Sequence, residues 1–111
     1  MAGFAEITIE QGADYSSTIT VNDSTGTPQN LTSYTAASQL RKSYYSSTAK
    51  SFVVNVTNPT AGEITTVMSS ANTANLSPGR YVYDVVIKDT ANTVTRVLEG
   101  IVNVIPQVTV F

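Results

Sequence analysis

Short stretches in which apolar and polar residues alternate, separated by turn residues, cover most of this chain. In residues 4–10, Ala5, Ile7 and Ile9 share one parity, and mainly polar residues occupy the other. An alternation with a period of two places the apolar side chains on one face of a β-strand. Residues 15–21 show the same alternation after a short turn. The chain is therefore predicted to begin with two strands, each with one apolar face.

The clearest predicted strand follows a turn at Pro78 and Gly79, where proline presets φ and glycine tolerates φ > 0. The apolar face of this strand consists of Tyr81, Tyr83, Val85 and Ile87. A tyrosine that starts a strand directly after a corner is typical of Ig-like sandwiches, where its ring packs inside and its hydroxyl bonds back to the corner backbone. Tyr83 occupies the place where Ig domains have a cysteine, so we expect an Ig-like sandwich without a disulfide.

Residues 31–45 have two possible structures. Several good helix formers lie within residues 35–42, which favours a helix by propensity. Against this, alternate positions carry residues that suit the inner face of a strand, namely Tyr34, Ala36, Ser38 and Leu40. Threonine and tyrosine are also frequent in the flanking sequence, and both favour strands. We interpret the segment as a strand and keep the helix as the alternative.

Turn signals divide the rest of the chain. Loops or turns are predicted at residues 22–28, 46–48 and 58–62. Further strands are predicted at residues 52–56, 63–68 and 93–105. A short helical turn is the most that we expect near residues 69–76. The spacing predicts an all-β fold over residues 1–105, an Ig-like antiparallel β-sandwich of about seven strands, followed by an apolar C-terminal tail at residues 106–111.

Two details of the last predicted hairpin carry structural information. Gly100 interrupts the strand, and a glycine in that setting marks either a bulge or a close approach of another backbone. Asp84 is expected to face Arg96 if the connecting loop centres on Thr90. The other register would place Arg96 on the inner face, which is costly.

Composition narrows the chemistry that the chain can perform. Its 111 residues are enough for one domain with a core that needs no disulfide. The chain has no cysteine and no histidine, which removes the common zinc, copper, haem and iron–sulfur ligand sets, so we expect no cofactor. A net charge of −2 with 13% charged residues argues against binding to nucleic-acid backbone. We also expect neither a secretory signal nor a membrane span, because no long apolar run is present.

Candidate catalytic groups are few. Glu6 and Glu10 lie on the predicted solvent face of the first strand, and Glu63 lies near a turn, whereas acid–base catalysis needs carboxyls in a cleft with separated environments. Serine has no histidine to act as its base. Asp14, Asp23 and Asp89 sit in loops that lack the oxygen density of a calcium site, so turn stabilisation explains them better. We expect that the chain is not an enzyme.

The candidate interface residues form two groups. They are Arg41, Tyr44 and Tyr45 near a predicted hairpin tip, and Val108, Val110 and Phe111 in the tail. Tyrosine and arginine are enriched at protein interfaces, and an apolar tail suits strand addition to a neighbouring subunit. The alternatives are that the tyrosines stack within the sheet and that the tail packs on its own domain.

Several turn-and-strand motifs occur in a characteristic order over nearly the whole chain. They are Leu31-Thr32-x-x-Thr35-Ala36 with Gln39-Leu40-Arg41, Ala61-Gly62-Glu63-Ile64, Leu76-Ser77-Pro78-Gly79-Arg80-Tyr81-Val82-Tyr83-Asp84-Val85, and Glu99-Gly100-Ile101-Val102-x-Val104. This order resembles the Ig-like N-terminal domain of phage baseplate upper proteins and related modules in virion proteins of marine cyanophages.

The resemblance implies a module that anchors a protein into the virion of a tailed phage and carries no catalytic residues. In that family, host-recognition regions follow the module, whereas this chain stops soon after Val104. The implied function is a non-catalytic structural component, acting as a tail or baseplate accessory or as a capsid decoration protein. Its partners would be other virion proteins in a symmetric homo- or hetero-oligomeric assembly, with no nucleic acid and no membrane. The alternative is a surface carbohydrate- or host-receptor-binding module that uses Arg41, Tyr44 and Tyr45.

Overall fold

A computed structural model describes residues 3–22, 25–43, 45–46 and 49–109. In these residues the chain forms eight strands, which are β1 (Gly3–Glu10), β2 (Tyr15–Thr20), β3 (Thr35–Arg41), β4 (Lys50–Ser51), β5 (Val53–Asn58), β6 (Glu63–Met68), β7 (Gly79–Lys88) and β8 (Val94–Ile105). A 3₁₀ turn (Pro59–Ala61) precedes β6, and the four-residue helix α1 (Ser70–Thr73) follows it. The short helical turn predicted near residues 69–76 is thus confirmed.

The strands form two sheets, with the order β1-β8-β7-β3-β4 in one and β2-β6-β5 in the other. In Ig lettering, β2, β6 and β5 correspond to strands B, E and D, and β3, β7 and β8 correspond to C, F and G. The predicted all-β sandwich is therefore confirmed. One pairing departs from the antiparallel prediction, since β1 runs parallel to β8. This is possible because the chain leaves β1 for the opposite sheet, so no hairpin joins β1 to β8.

Within the ambiguous residues 31–45, only residues 35–41 form a strand, β3, and the helix alternative is wrong there. The strand pairs antiparallel with β7, from Thr35 opposite Lys88 to Arg41 opposite Val82. Leu40 is buried on its inner face. The inner Ser38 is buried as well, and its hydroxyl donates a hydrogen bond of 2.6 Å to the backbone oxygen of Asp84. Burial of one face outweighs a helix propensity difference of about 0.5 kcal/mol per residue.

The chain changes sheets at Phe52, the first residue of the strand predicted at residues 52–56, and the sequence pattern does not predict the two-residue strand β4 before it. β4 pairs with β3, whereas β5 pairs with β6 in the other sheet. Phe52 lies between them, is buried in the core, and donates its backbone N–H to the oxygen of Ser38 over 3.0 Å. This change of sheet is why the structure has eight strands and not about seven.

The irregularity in β8 lies at Val97 and not at Gly100. The register shifts between Val85 and Val86, whose partners are Leu98 and Arg96, so Val97 is the extra residue of a bulge. Gly100 is the close approach instead, because a Cβ atom there would collide with the backbone oxygen of Ala5 on β1. Of the two predicted meanings of this glycine, the structure selects the second.

The bulge also changes how Asp84 meets Arg96. In the register Asp84 lies opposite Glu99, and Arg96 lies opposite Val86, so the predicted centre of the loop at Thr90 is wrong. The ion pair nevertheless forms, with 3.3 Å between Arg96 Nε and Asp84 Oδ2.

The core lies between the two sheets, and two tyrosines on β7 organise one side of it. Tyr81 is 6% exposed, and its hydroxyl donates to the backbone oxygen of Ser77 over 2.8 Å, which confirms the predicted tyrosine corner. Tyr83 donates to the oxygen of Ala5 over 2.8 Å. At the position where an Ig domain has the cysteine of its inter-sheet disulfide, this chain thus has a tyrosine whose hydrogen bond stays within one sheet, from β7 to the edge strand β1.

Candidate interaction surface at the basal end

One end of the sandwich, called here the basal end, comprises the described parts of residues 11–14, 42–49, 69–78 and 106–109. The strand register determines which segments meet there. Arg41 ends β3 opposite Val82, close to the start of β7. Val104, near the end of β8, lies opposite Gly79. The connection after β3 and the segment after β8 therefore leave the same end of the five-stranded sheet. This arrangement brings Arg41, Tyr45 and Val108, the described members of the two predicted interface groups, to one end of the molecule.

Gln11 connects three segments of the basal end. Its backbone N–H donates to the oxygen of Ile105 over 2.9 Å, and its side-chain amide donates to the oxygen of Leu76, also over 2.9 Å. Its side-chain oxygen accepts a hydrogen bond of 3.1 Å from the backbone N–H of Gln107. Next to it, Gly12 has φ +84°, and a Cβ atom there would collide with the Gln107 side chain. The first residues after β8 are thereby held against the β1–β2 turn.

Thr73 on α1 makes the second connection. It is fully buried, and its hydroxyl donates to the oxygen of Ala13 over 2.8 Å and accepts from the backbone N–H of Gly12 over 3.1 Å. Asp14 Oδ1 accepts from the N–H of Ser70 over 2.7 Å, so this aspartate binds the distant helix α1 and not, as predicted, the backbone of its own turn. Asp89 does stabilise its turn, because its Oδ1 accepts from the N–H groups of Ala91 and Thr93, each over 2.9 Å. Asp23 lies outside the described residues. Sequence analysis missed Thr73 and Gln11, because neither lies in an alternating segment and their partners are distant in sequence.

Several large hydrophobic side chains of the described residues are exposed, both near the basal end and at the opposite end of the sandwich. They are Phe4, Tyr45, Val53, Val94, Ile105 and Val108. Tyr45 and Val108 belong to the basal end, and Ile105 ends β8 next to it. Val53 starts β5 beside the same end, opposite Val67 near the end of β6. Tyr45 is 97% exposed and Val108 is 98% exposed. Neither residue contributes its side chain to the core of its own domain.

The tyrosine group is only partly as predicted. β3 ends at Arg41, so Tyr45 lies in the following connection and not in a strand. Tyr45 is 97% exposed, so the alternative that its ring stacks within the sheet is wrong. Tyr44 lies outside the described residues. The guanidinium of Arg41 donates to the oxygen of Ser46 over 2.9 Å and to Gln39 Oε1 over 3.3 Å, so it holds this connection.

In the tail, the exposure of Val108 shows that its side chain does not pack on its own domain. Val110 and Phe111 lie outside the described residues. Docking of residues 106–111 on a neighbour remains a prediction.

The outer face of the five-stranded sheet carries an ion-pair cluster. A depression of about 220 Å³ is lined mainly by Gln39, Arg41, Val82, Asp84, Arg96 and Glu99. Arg96 contacts both Asp84, at 3.3 Å, and Glu99, at 3.2 Å. Near the basal end, the ammonium of Lys42 lies 4.3 Å from the centre of the Tyr81 ring, a cation–π contact over the tyrosine corner.

The carboxylates considered for catalysis are not brought together. Glu6 and Glu10 lie on the exposed face of β1, where Glu6 accepts a hydrogen bond from the side chain of Asn103. Glu63 starts β6 in the other sheet. Among the described residues, no cluster of acidic side chains could hold a metal ion. No helix in that part of the chain is long and apolar enough to cross a membrane.

The fold and this surface define an Ig-like β-sandwich module with an exposed apolar end. No model of a known protein family matches the sequence, and no curated protein matches it significantly. Among solved structures, an internalin-like protein of Listeria monocytogenes is similar, with a TM-score of 0.51 and 17% sequence identity. The similarity covers 94% of this chain but 28% of that protein, so this chain spans little more than a quarter of its length. That protein is not a phage protein, and the likeness supports the fold alone.

Proposed function

We propose that this chain is a non-catalytic structural component of a tailed-phage virion, a small adaptor or decoration module that contacts other virion proteins through its basal end. The sequence resemblance supports the virion setting. The observation that carries the proposal is the full exposure of Tyr45 and Val108 on an end that Gln11 and Thr73 hold together.

The basal end combines the properties of a contact surface. Burying a valine or tyrosine side chain against a partner is worth about 1.5–3 kcal/mol. The hydrogen bonds of Gln11 and Thr73 order the basal end before a partner binds, which lowers the entropy cost of association. A stable interface needs about 800 Å² on each side, more than Tyr45 and Val108 alone provide. Repetition of this contact in a symmetric particle supplies the remaining strength through avidity.

The test is incorporation into particles. We expect purified particles of the phage that encodes this chain to contain the protein. Its amount should be in fixed proportion to the major structural proteins. Tyr45→Ser and Val108→Asp should reduce that proportion about tenfold, the effect of losing about 1.4 kcal/mol. The matched control is Val94→Asp, an exposed valine at the opposite end of β8, which should incorporate normally. Full incorporation of both basal variants would refute the proposal.

The exposed ring of Tyr45 favours a second candidate, a carbohydrate- or host-receptor-binding module, because exposed aromatic rings supply flat apolar contact area with a polar tip. A glycan array and a host-cell binding assay test it. In that case Tyr45→Ala should abolish binding while leaving incorporation intact. Binding that Tyr45→Ala does not reduce would argue against this surface.

A further inference from the structure

Two edge strands face the same side of the sandwich and leave a seam between the sheets. In the described residues, β1 pairs with β8 alone and β2 pairs with β6 alone. Their outer edges therefore carry backbone N–H and C=O groups that no strand pairs with. In a constant-type Ig domain, strand A pairs with this edge of strand B. Here β1 pairs with β8 in the opposite sheet, so the three-stranded sheet ends at β2.

The inward-facing residues along this seam are only half-buried. This holds for Ala5 and Ile7 on β1 and for Tyr15, Ser17 and Ile19 on β2. In the interior strands the corresponding positions are buried, as shown by Ile64, Thr66, Met68, Val102 and Val104. One more strand along the edge of β2 would complete the burial of the seam residues.

A cavity of about 150 Å³ lies behind the seam. Its lining is mainly apolar and includes Ser17 on β2; the apolar lining residues include Ala5, Ile7, Tyr15, Ile19, Phe52 and Tyr83. The rings of Tyr15 and Phe52 lie 5.6 Å apart. An apolar cavity of about this volume holds a benzene-sized group. It therefore has room for one branched aliphatic or aromatic side chain from an added strand.

The segment after β8 has the properties of such a strand. Pro106 and Gln107 end the β8 pairing, and Val108 is then almost fully exposed. The sequence from Val108 onward, Val-Thr-Val-Phe, contains only residues with high strand propensity and has no charge. Because the Val108 side chain contacts nothing in its own domain, the seam of the same chain does not hold it.

We propose that the segment starting at Val108 of one copy adds as a strand to the free edge of β2 in a second copy and places an apolar side chain in the seam cavity. This inference rests on the proposed function, because both use the exposed segment at Val108 as a contact surface. It adds the surface that this segment binds, the free edge of β2 in a second copy. Donor and acceptor are different surfaces of the chain, so each copy both gives and receives a strand. Such an exchange gives a closed dimer or a ring when the rotation between copies closes, and an open filament when it does not.

Disulfide trapping tests the contact directly, because the chain has no cysteine of its own. A chain carrying Val108→Cys is mixed with a chain carrying Ser17→Cys and oxidised gently. We expect the mixed disulfide dimer as the main product on a non-reducing gel. In the matched control, Asn55→Cys on β5, the other edge strand of the same sheet, replaces Ser17→Cys and should give little product. Equal trapping at both edges, or none at Ser17, would overturn the inference.

Light scattering after gel filtration provides the second measurement. The unmodified protein should have the mass of a dimer or ring, and Ser17→Phe, which fills the cavity, should convert it to a monomer without lowering its melting temperature. A wild-type monomer, or an intrachain disulfide in the double variant Val108→Cys with Ser17→Cys, would refute the contact between copies. Failed trapping with loss of incorporation for Val108→Asp overturns this inference alone. Successful trapping with normal incorporation overturns the proposed function alone.

Discussion

Tyr83→Phe removes one hydroxyl from the wall of the seam cavity. It tests how much the Tyr83 hydrogen bond contributes to the stability of a sandwich that has no disulfide. The Tyr83 hydroxyl donates to the oxygen of Ala5 over 2.8 Å and so joins β7 to the edge strand β1. A hydrogen bond of this kind contributes about 1 kcal/mol net to stability. At neutral pH we therefore expect the variant to be less stable than the wild type by about that amount.

The pH dependence of this difference gives the sharper test. Burial, with a smaller contribution from the nearby Tyr15, raises the pKa of Tyr83 to about 12. The ordinary value of a tyrosine, about 10, applies in the unfolded chain. Between these values the folded state binds more protons than the unfolded state, so stability falls as the pH rises. The stabilisation is thus complete below pH 10 and is lost as the pH rises towards 12.

At pH 11 the two pKa values give a loss of about 1.4 kcal/mol, reduced to about 1 kcal/mol because the seam admits solvent. Phenylalanine does not ionise, so Tyr83→Phe escapes this loss. Urea denaturation followed by circular dichroism at pH 8 and pH 11 measures both proteins. We expect the advantage of the wild type at pH 8 to disappear at pH 11. A difference that stays constant across this range would refute the reasoning.

Three further substitutions test other parts of the structure by the same denaturation assay. Gly100→Ala should cost about 2–3 kcal/mol, because its Cβ collides with the Ala5 backbone, whereas Gly3→Ala, whose Cβ meets only ordinary contacts, should be nearly neutral. Thr73→Val should cost about 1–3 kcal/mol, since the Gly12 N–H loses its buried acceptor; the exposed Thr18→Val is its control, and equal effects would contradict this role. Arg96→Ala should cost less than about 1 kcal/mol and lose this effect at high salt, and a larger cost would show that the ion pairs are more than surface contacts.

The absence of cysteine places a special demand on this sandwich. An Ig domain gains several kcal/mol from its inter-sheet disulfide. Here the same region relies on the hydroxyl bonds of Tyr81 and Tyr83 and on the packing of their rings. These contacts tie β7 to the corner at Ser77 and, across β8, to the edge strand β1.

Local pattern in the sequence determined the strands and which face of each is buried. β6 and the apolar face of β7 follow directly from alternation, and the tyrosine corner follows from the turn at Pro78 and Gly79. These features involve residues close to each other in the chain. The short distance in sequence is why periodicity and turn chemistry were enough to predict them.

Only the tertiary structure decided which strands lie side by side and which residues form the basal end and the seam cavity. The parallel pairing of β1 with β8, the change of sheet at Phe52 and the bulge at Val97 depend on contacts between segments that are distant in sequence. The same is true of the hydrogen bonds of Gln11 and of the cavity at the seam. Alternation encodes which side of a strand meets the core but not which strand is its neighbour, because many pairings bury the same apolar faces.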